Sequence, residues 1–115
     1  MPILTKVREA VFFETADGKV PAQEWLENLK DMRGKAKIYT RIRRAEQGNF
    51  GEYRDLKGGL YEIKESFGPG YRVYFTLSLT DELIVLFFGG DKGTQDRDIL
   101  KAKELQYEYE KQIQG

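Results

Sequence analysis

The stretch Gly68-Pro69-Gly70-Tyr71-Arg72-Val73-Tyr74-Phe75-Thr76-Leu77-Ser78-Leu79 opens on a turn and continues as an alternation of period two. Glycine supplies positive φ and proline presets the first turn dihedral, so Gly-Pro-Gly reverses the chain. Beyond it, Tyr71, Val73, Phe75, Leu77 and Leu79 share one face and Arg72, Tyr74, Thr76 and Ser78 the other. That predicts a strand over 71–79 with a core face and an open polar face.

Working outward, Leu60 to Glu65 alternates in the same way, with Tyr61 and Ile63 on one face and Glu62 and Lys64 on the other. Asp81-Glu82 turns the chain into Leu83 to Phe88, an apolar run suited to a strand buried on both faces. Three consecutive strands with tight turns make an antiparallel meander. Upstream, Thr5 to Glu14 contains Val7, Val11, Phe12 and Phe13 and stops at Asp17-Gly18, which predicts a first strand. Pro21 suits a first helical position, and Ala22, Trp25, Leu26 and Leu29 lie on one helical face, giving a first helix from Pro21 to about Met32 with Trp25 in the core. Gly34 marks a break. Ile38, Ile42 and Ala45 then define a second helix, antiparallel to the first and ending at Gly48-Asn49. Residues 49–59 read as a long loop. After Gly89-Gly90-Asp91-Lys92-Gly93, Thr94 suits an N-cap, and Ile99, Ala102, Leu105, Tyr109 and Ile113 trace an amphipathic C-terminal helix. The order β-α-α-β-β-β-α predicts one small α+β domain over 1–115: an antiparallel sheet with two helices on one face and a third helix at the end.

The chain has 115 residues, 19 Lys+Arg against 19 Asp+Glu, no histidine and no cysteine. These absences exclude thiolate nucleophiles, imidazole bases, disulfides and Cys/His zinc sites. Any catalysis falls to Lys, Arg, Tyr, Asp/Glu, Ser/Thr or backbone groups. No signal-peptide pattern stands at the N-terminus, and the longest apolar run is far short of the ~20 residues that span a bilayer. Together these predict a cytoplasmic chain with no membrane partner.

The zero sum is uneven. Lys30 to Arg44 holds seven cations against Asp31 alone, a local charge of +6, and Lys37, Arg41 and Arg44 recur at helical spacing. Such a stripe suits nucleic-acid contact, and it also suits a merely solvated helix face. On the open face of the hairpin, Lys64 and Arg72 stand together with Glu62 and Tyr74, and Lys92 arrives from the loop after the next strand. Cations there would hold a phosphodiester and stabilise its extra transition-state charge. Glu62, Lys64 with a lowered pKa, or Tyr74 would accept the proton of a 2′-hydroxyl. Exposed sheet faces also carry such Glu/Lys/Arg pairs for solubility alone.

Gly59-Leu60-Tyr61-Glu62-Ile63-Lys64, Phe67-Gly68-Pro69-Gly70-Tyr71-Arg72-Val73-Tyr74-Phe75, Phe88-Gly89-Gly90-Asp91-Lys92 and the helix running from Asp96-Arg97-Asp98-Ile99 to Ala102-Lys103-Glu104 resemble the RelE/ParE toxin superfamily. They are most similar to its HigB-like, phage-derived addiction module killer proteins. The resemblance extends over nearly the whole chain. It implies a RelE-like, microbial-RNase-type sheet and a toxin held inactive by a cognate antitoxin, a helix-turn-helix protein from the adjacent gene. It further implies a ribosome-dependent endonuclease that cuts mRNA without metal or cofactor and leaves a 2′,3′-cyclic phosphate. Carried over by position, the hairpin arginine is Arg72, the cation of the preceding strand Lys64 and the loop cation Lys92. Relatives often carry arginine at Lys64 and a cation at Glu62. Inhibition of DNA gyrase in the ParE manner, or an inactive member that binds only its antitoxin, are the alternatives that the same resemblance allows.

Overall fold

In a computed structural model, residues 6–114 are described. The chain is an α+β domain built on a five-stranded sheet: β1 (Glu9–Phe12), β2 (Tyr53–Asp55), β3 (Tyr61–Glu65), β4 (Tyr71–Leu77) and β5 (Leu83–Asp91), in the spatial order β1-β5-β4-β3-β2. Three helices accompany it: α1 (Pro21–Glu27), α2 (Met32–Glu46) and α3 (Gln95–Gln114). The meander β3-β4-β5 is antiparallel, as the turns predict. β1 instead lies parallel to β5, with Glu9 opposite Leu83 and Phe12 opposite Leu86, so the sheet is mixed and not wholly antiparallel. Thr5, placed in the first strand by its composition, lies outside the described residues. Within the expected long loop at 49–59, Tyr53–Asp55 pairs with β3 as an edge strand.

The helices fill both faces. Ala22 and Leu26 of α1 and Ile38, Ile42 and Ala45 of α2 pack on Ile63, Val73, Phe75, Ile84 and Leu86, forming one core layer. Ala102 and Leu105 of α3 pack on Phe13, Leu60, Tyr74, Val85 and Phe87 on the opposite side. Each fully buried large apolar side chain stabilises the fold by about 1.5–3 kcal/mol, so two layers give a 13.4 kDa domain a substantial core. The polar face of β4 is therefore not open: Arg72, Tyr74 and Thr76 are all buried. A bulge at Tyr74/Phe75 shifts the β4–β5 register by one residue and brings Phe87 and Phe88 successively toward the α3 side.

Gly34 does not separate the two helices: α1 already ends at Glu27, short of the expected Met32, and Gly34 lies in the first turn of α2. Asp31 caps α2 by accepting the Gly34 N–H at 2.9 Å, and a Cβ at Gly34 would stand 2.5 Å from the Tyr71 ring. The Tyr71 hydroxyl donates to the other Asp31 oxygen at 2.6 Å, which ties the α2 cap to the start of β4. At the far end of the sheet, Asp81 adopts φ 62 in the β4–β5 turn, and Arg8 holds its carboxylate at 2.9 Å. Thr94 directs its hydroxyl to Asp98 and to the Asp91 carbonyl, while the short 3₁₀ turn Lys92–Thr94 is capped by Asp91 through the Gly93 N–H.

Candidate functional site

The hairpin β3–β4 places the predicted residues by register: Lys64 lies opposite Arg72, and Glu62 opposite Tyr74. Gly70 joins them to Lys92. The Lys92 N–H donates to the Gly70 carbonyl at 2.7 Å, and a Cβ on Gly70 would sit 3.5 Å from Arg72 Nη1 and 3.6 Å from Lys92 Cβ. Gly70, at φ 82, thus lets the Arg72 guanidinium and the Lys92 stem converge beside the turn. Lys92 is exposed. Lys64 is half-buried and pairs with Glu52 at 3.5 Å. Arg72 is 8% exposed, with Nη1 donating to the Tyr71 carbonyl.

Glu62 and Tyr74, both 0% exposed, are sealed beneath α3. Gln95, in the first turn of α3, donates to Glu62 Oε2 at 2.7 Å, and Arg54 on β2 meets Oε1 at 3.3 Å. Sequence reasoning missed Arg54 and Gln95, as it missed Asp98. Asp98 is buried against Gly90, where a Cβ would come within 1.9 Å of its carboxylate. Gly90 lies opposite Arg72, so Asp98 adds a second carboxylate to the same face. Burial raises the Tyr74 phenol pKa, and the charges of Glu62 and Asp98 raise it further, with Arg72 opposing them. Tyr74 is therefore protonated at neutral pH and enters any reaction as a hydrogen-bond donor. Its hydroxyl lies near Glu62 without a hydrogen bond of regular geometry. Of the three candidate proton acceptors, Lys64 is the one that reaches solvent. Among the described residues, no group of three or more acidic side chains is arranged to hold a metal ion.

The α2 stripe divides. Arg44 is exposed, and Lys37 is exposed over the Phe67 ring at 5.2 Å. Arg41 instead turns inward. Its guanidinium donates to the carbonyls of Lys64 (2.5 Å), Glu52 (2.9 Å) and Phe50 (3.1 Å) and pairs with Glu65 at 3.3 Å. A group so engaged is a structural clamp, which corrects its place in the predicted nucleic-acid surface.

No family model and no solved structure matches the sequence. Over 84 residues, 73% of this chain and 84% of the relative, it is 46% identical to a protein of Haemophilus influenzae (strain ATCC 51907 / DSM 11121 / KW20 / Rd) described as an uncharacterized protein. The chain belongs to the family of that protein. None of the described helices is long and apolar enough to cross a membrane.

Proposed function

We propose that this protein is the toxin of a toxin–antitoxin pair, a cytoplasmic, ribosome-dependent mRNA endonuclease. The observation that carries the reading is the convergence of Arg72 and Lys92 about Gly70, with Lys64 in register beside Arg72, on a hairpin whose sequence resembles the RelE/ParE superfamily. In this reading Arg72 and Lys92 bind the scissile phosphate and stabilise the charge that builds on it. The 2′-oxygen attacks phosphorus, the bond to the 5′-oxygen breaks, and a 2′,3′-cyclic phosphate remains. Lys64, an ammonium paired with Glu52, positions the phosphate; the 2′-hydroxyl proton passes to a solvent water, and the departing 5′-oxygen gains a proton from solvent. Glu62 and Tyr74 act from behind the surface: the carboxylate, fixed by Gln95 and Arg54, helps keep the phenol protonated beside Arg72.

Sealing of Glu62 and Tyr74 favours a second reading, a ParE-like protein that inhibits gyrase by contact and needs no proton acceptor. One experiment separates them. Expressed without antitoxin, the endonuclease arrests growth and leaves new mRNA 5′ ends at paused codons, and Arg72→Ala abolishes both. Broken DNA and a DNA-damage response with intact mRNA would replace this reading by the second, and unimpaired growth would remove both in favour of a member that only binds its antitoxin. The antitoxin partner would lay an acidic segment on the exposed cations of α2, so raising salt should slow its association. A short helix-turn-helix protein encoded next to this gene would supply that partner.

A further inference from the structure

Trp25 is the chain's one tryptophan, and the fold leaves it half-buried. Its six-membered ring rests on the backbone of Gly89, where a Cβ would stand 2.3 Å from two ring atoms, and it meets the Tyr71 ring in a T-shaped contact at 6.4 Å. Those contacts anchor the indole without covering it. It lines two adjoining depressions, both also lined by Phe88: one reaches Leu29, Gly90 and Arg97, and the other reaches Lys101 at the next turn of α3. The first depression shares Thr94 and Arg97 with a third that extends to Lys92. A trough therefore runs over the C-terminal end of β5, with two aromatic side chains at its middle; the exposed cations Lys101, Arg97 and Lys92 line it together with Asp96 and with Glu24, Asp91 and Asp98, whose carboxylates accept from the Val20 N–H, the Gly93 N–H and the Thr94 hydroxyl.

A half-exposed aromatic pair flanked by exposed cations of α3 and the β5 end suits one ligand chemistry. Single-stranded nucleic acids place planar bases between phosphates, and proteins that bind them combine aromatic platforms with a basic track. Arg97, with a side chain 80% exposed and only a 3.9 Å contact to its neighbour Asp98, is free to meet a phosphate. We propose that this trough binds single-stranded RNA, with a base stacked on Trp25 and Phe88 and the adjacent phosphates met by Arg97 and Lys101. The choice of RNA rests on the endonuclease reading above, and the trough would hold the nucleotides beside the one cleaved near Lys92.

Because Trp25 has no competing indole, its fluorescence reports this contact directly. The intact chain is titrated with an adenine-rich RNA hexamer, with inorganic polyphosphate and with a polyglutamate peptide, at several salt concentrations. The hexamer should quench Trp25 saturably, and the two polyanions without bases should not. By anisotropy of labelled hexamer, Trp25→Leu, checked for folding by circular dichroism, should bind roughly tenfold more weakly. Arg97→Ala, at an exposed position, should weaken binding several-fold and reduce the salt dependence by about one phosphate contact. An absence of hexamer binding, hexamer binding that leaves Trp25 fluorescence unchanged, or equal quenching by either base-free polyanion would overturn the proposal. Mapping mRNA 5′ ends in the same strain scores the other reading separately. Quenching without cleavage keeps the base site and removes the nuclease, whereas cleavage without quenching does the reverse.

Discussion

Replacing Arg41 by alanine should destabilise the fold severely, whereas its stripe neighbours Lys37 and Arg44 should be replaceable at almost no cost. The guanidinium joins α2 to the segment before β2 and to the end of β3 through three carbonyls and Glu65, and it lies against Gly51, where a Cβ would come within 2.8 Å of Nη2. Hydrogen bonds to charged groups contribute about 1.5–3 kcal/mol each, but those made by one side chain do not add. Glu52 also keeps its second bond, from the Lys64 N–H at 2.9 Å. The carbonyls of Phe50 and Lys64 lose the guanidinium donor, and the total loss should be about 2–4 kcal/mol. For a domain of this size that lowers the melting temperature by about 8–16 °C. Arg41→Lys should recover little, since an ammonium cannot present the planar fork. Thermal melts followed by circular dichroism, with urea titrations for the free energy, read the effect. An Arg41→Ala protein melting within about 2 °C of the parent, as Lys37→Ala and Arg44→Ala should, would refute the clamp and return Arg41 to the surface stripe.

Three further outcomes follow from the site. Lys92→Ala, at an exposed position, should leave the melting temperature unchanged while reducing mRNA cleavage about 10²–10³-fold, read from the rate at which 5′ ends accumulate. Gly90→Ala drives a methyl into the buried Asp98 carboxylate and should cost about 1–3 kcal/mol in urea unfolding, with Asp98→Ala in the same chain recovering part of it. Stability should also fall at alkaline pH. Burial and the bond to Asp31 push the Tyr71 phenol up to about 12, and Tyr74 is raised as well, whereas an unfolded tyrosine ionises near 10.0. Above pH 10 the folded chain therefore holds protons that the unfolded chain has released, so the stabilisation present below pH 10 is lost progressively toward pH 12. Denaturant titrations across that range, with phenolate absorbance, test it: Glu62→Gln should let Tyr74 ionise at lower pH, and an unchanged titration would contradict the Glu62 contribution.

The meander and the helices were legible because their side chains repeat at the period of the element that buries them. β2 was not, because an edge strand of three residues buries little: Tyr53 is half-buried, while Arg54 and Asp55 face solvent and leave no alternation to read. The parallel pairing of β1 with β5 joins segments more than seventy residues apart, and local pattern carries no information about it. The larger miss concerned Arg72, Tyr74 and Thr76, whose polarity reads as exposure. Burial was achieved with polar partners instead: the Thr76 hydroxyl bonds the Gly59 carbonyl at 2.6 Å, Gln106 of α3 bonds Gly58 at 2.8 Å, and Gln95 holds Glu62. A signal existed. With α1 and α2 covering one face, the apolar stripe Ala102, Leu105 and Tyr109 needs the other, and that placement by itself covers the polar face of β4.

The neutral sum of charges loses its force against a polyanionic partner once the pairs are located. Acidic groups are consumed where they hold the fold: Glu62 by Arg54 and Gln95, Glu65 by Arg41, Glu52 by Lys64, Asp81 by Arg8, and Asp31 by the Tyr71 hydroxyl and the α2 N-terminus. Each of these sits at a joint between elements, and because the ion pairs also take up Arg54, Arg41, Lys64 and Arg8, they leave the sum unchanged and fix only where the remaining charges stand. Arg33, Lys37, Arg43 and Arg44 on α2 remain exposed, as do Lys92, Arg97 and Lys101 around the trough. These cations lie in two groups, one along α2 and one from the end of β5 into α3. Coulomb attraction falls off within a Debye length of about 8 Å at physiological salt, so a strand of phosphates responds to the cations beneath it and not to the total. Binding governed by those local groups should weaken steeply with salt even though the chain as a whole carries no net charge.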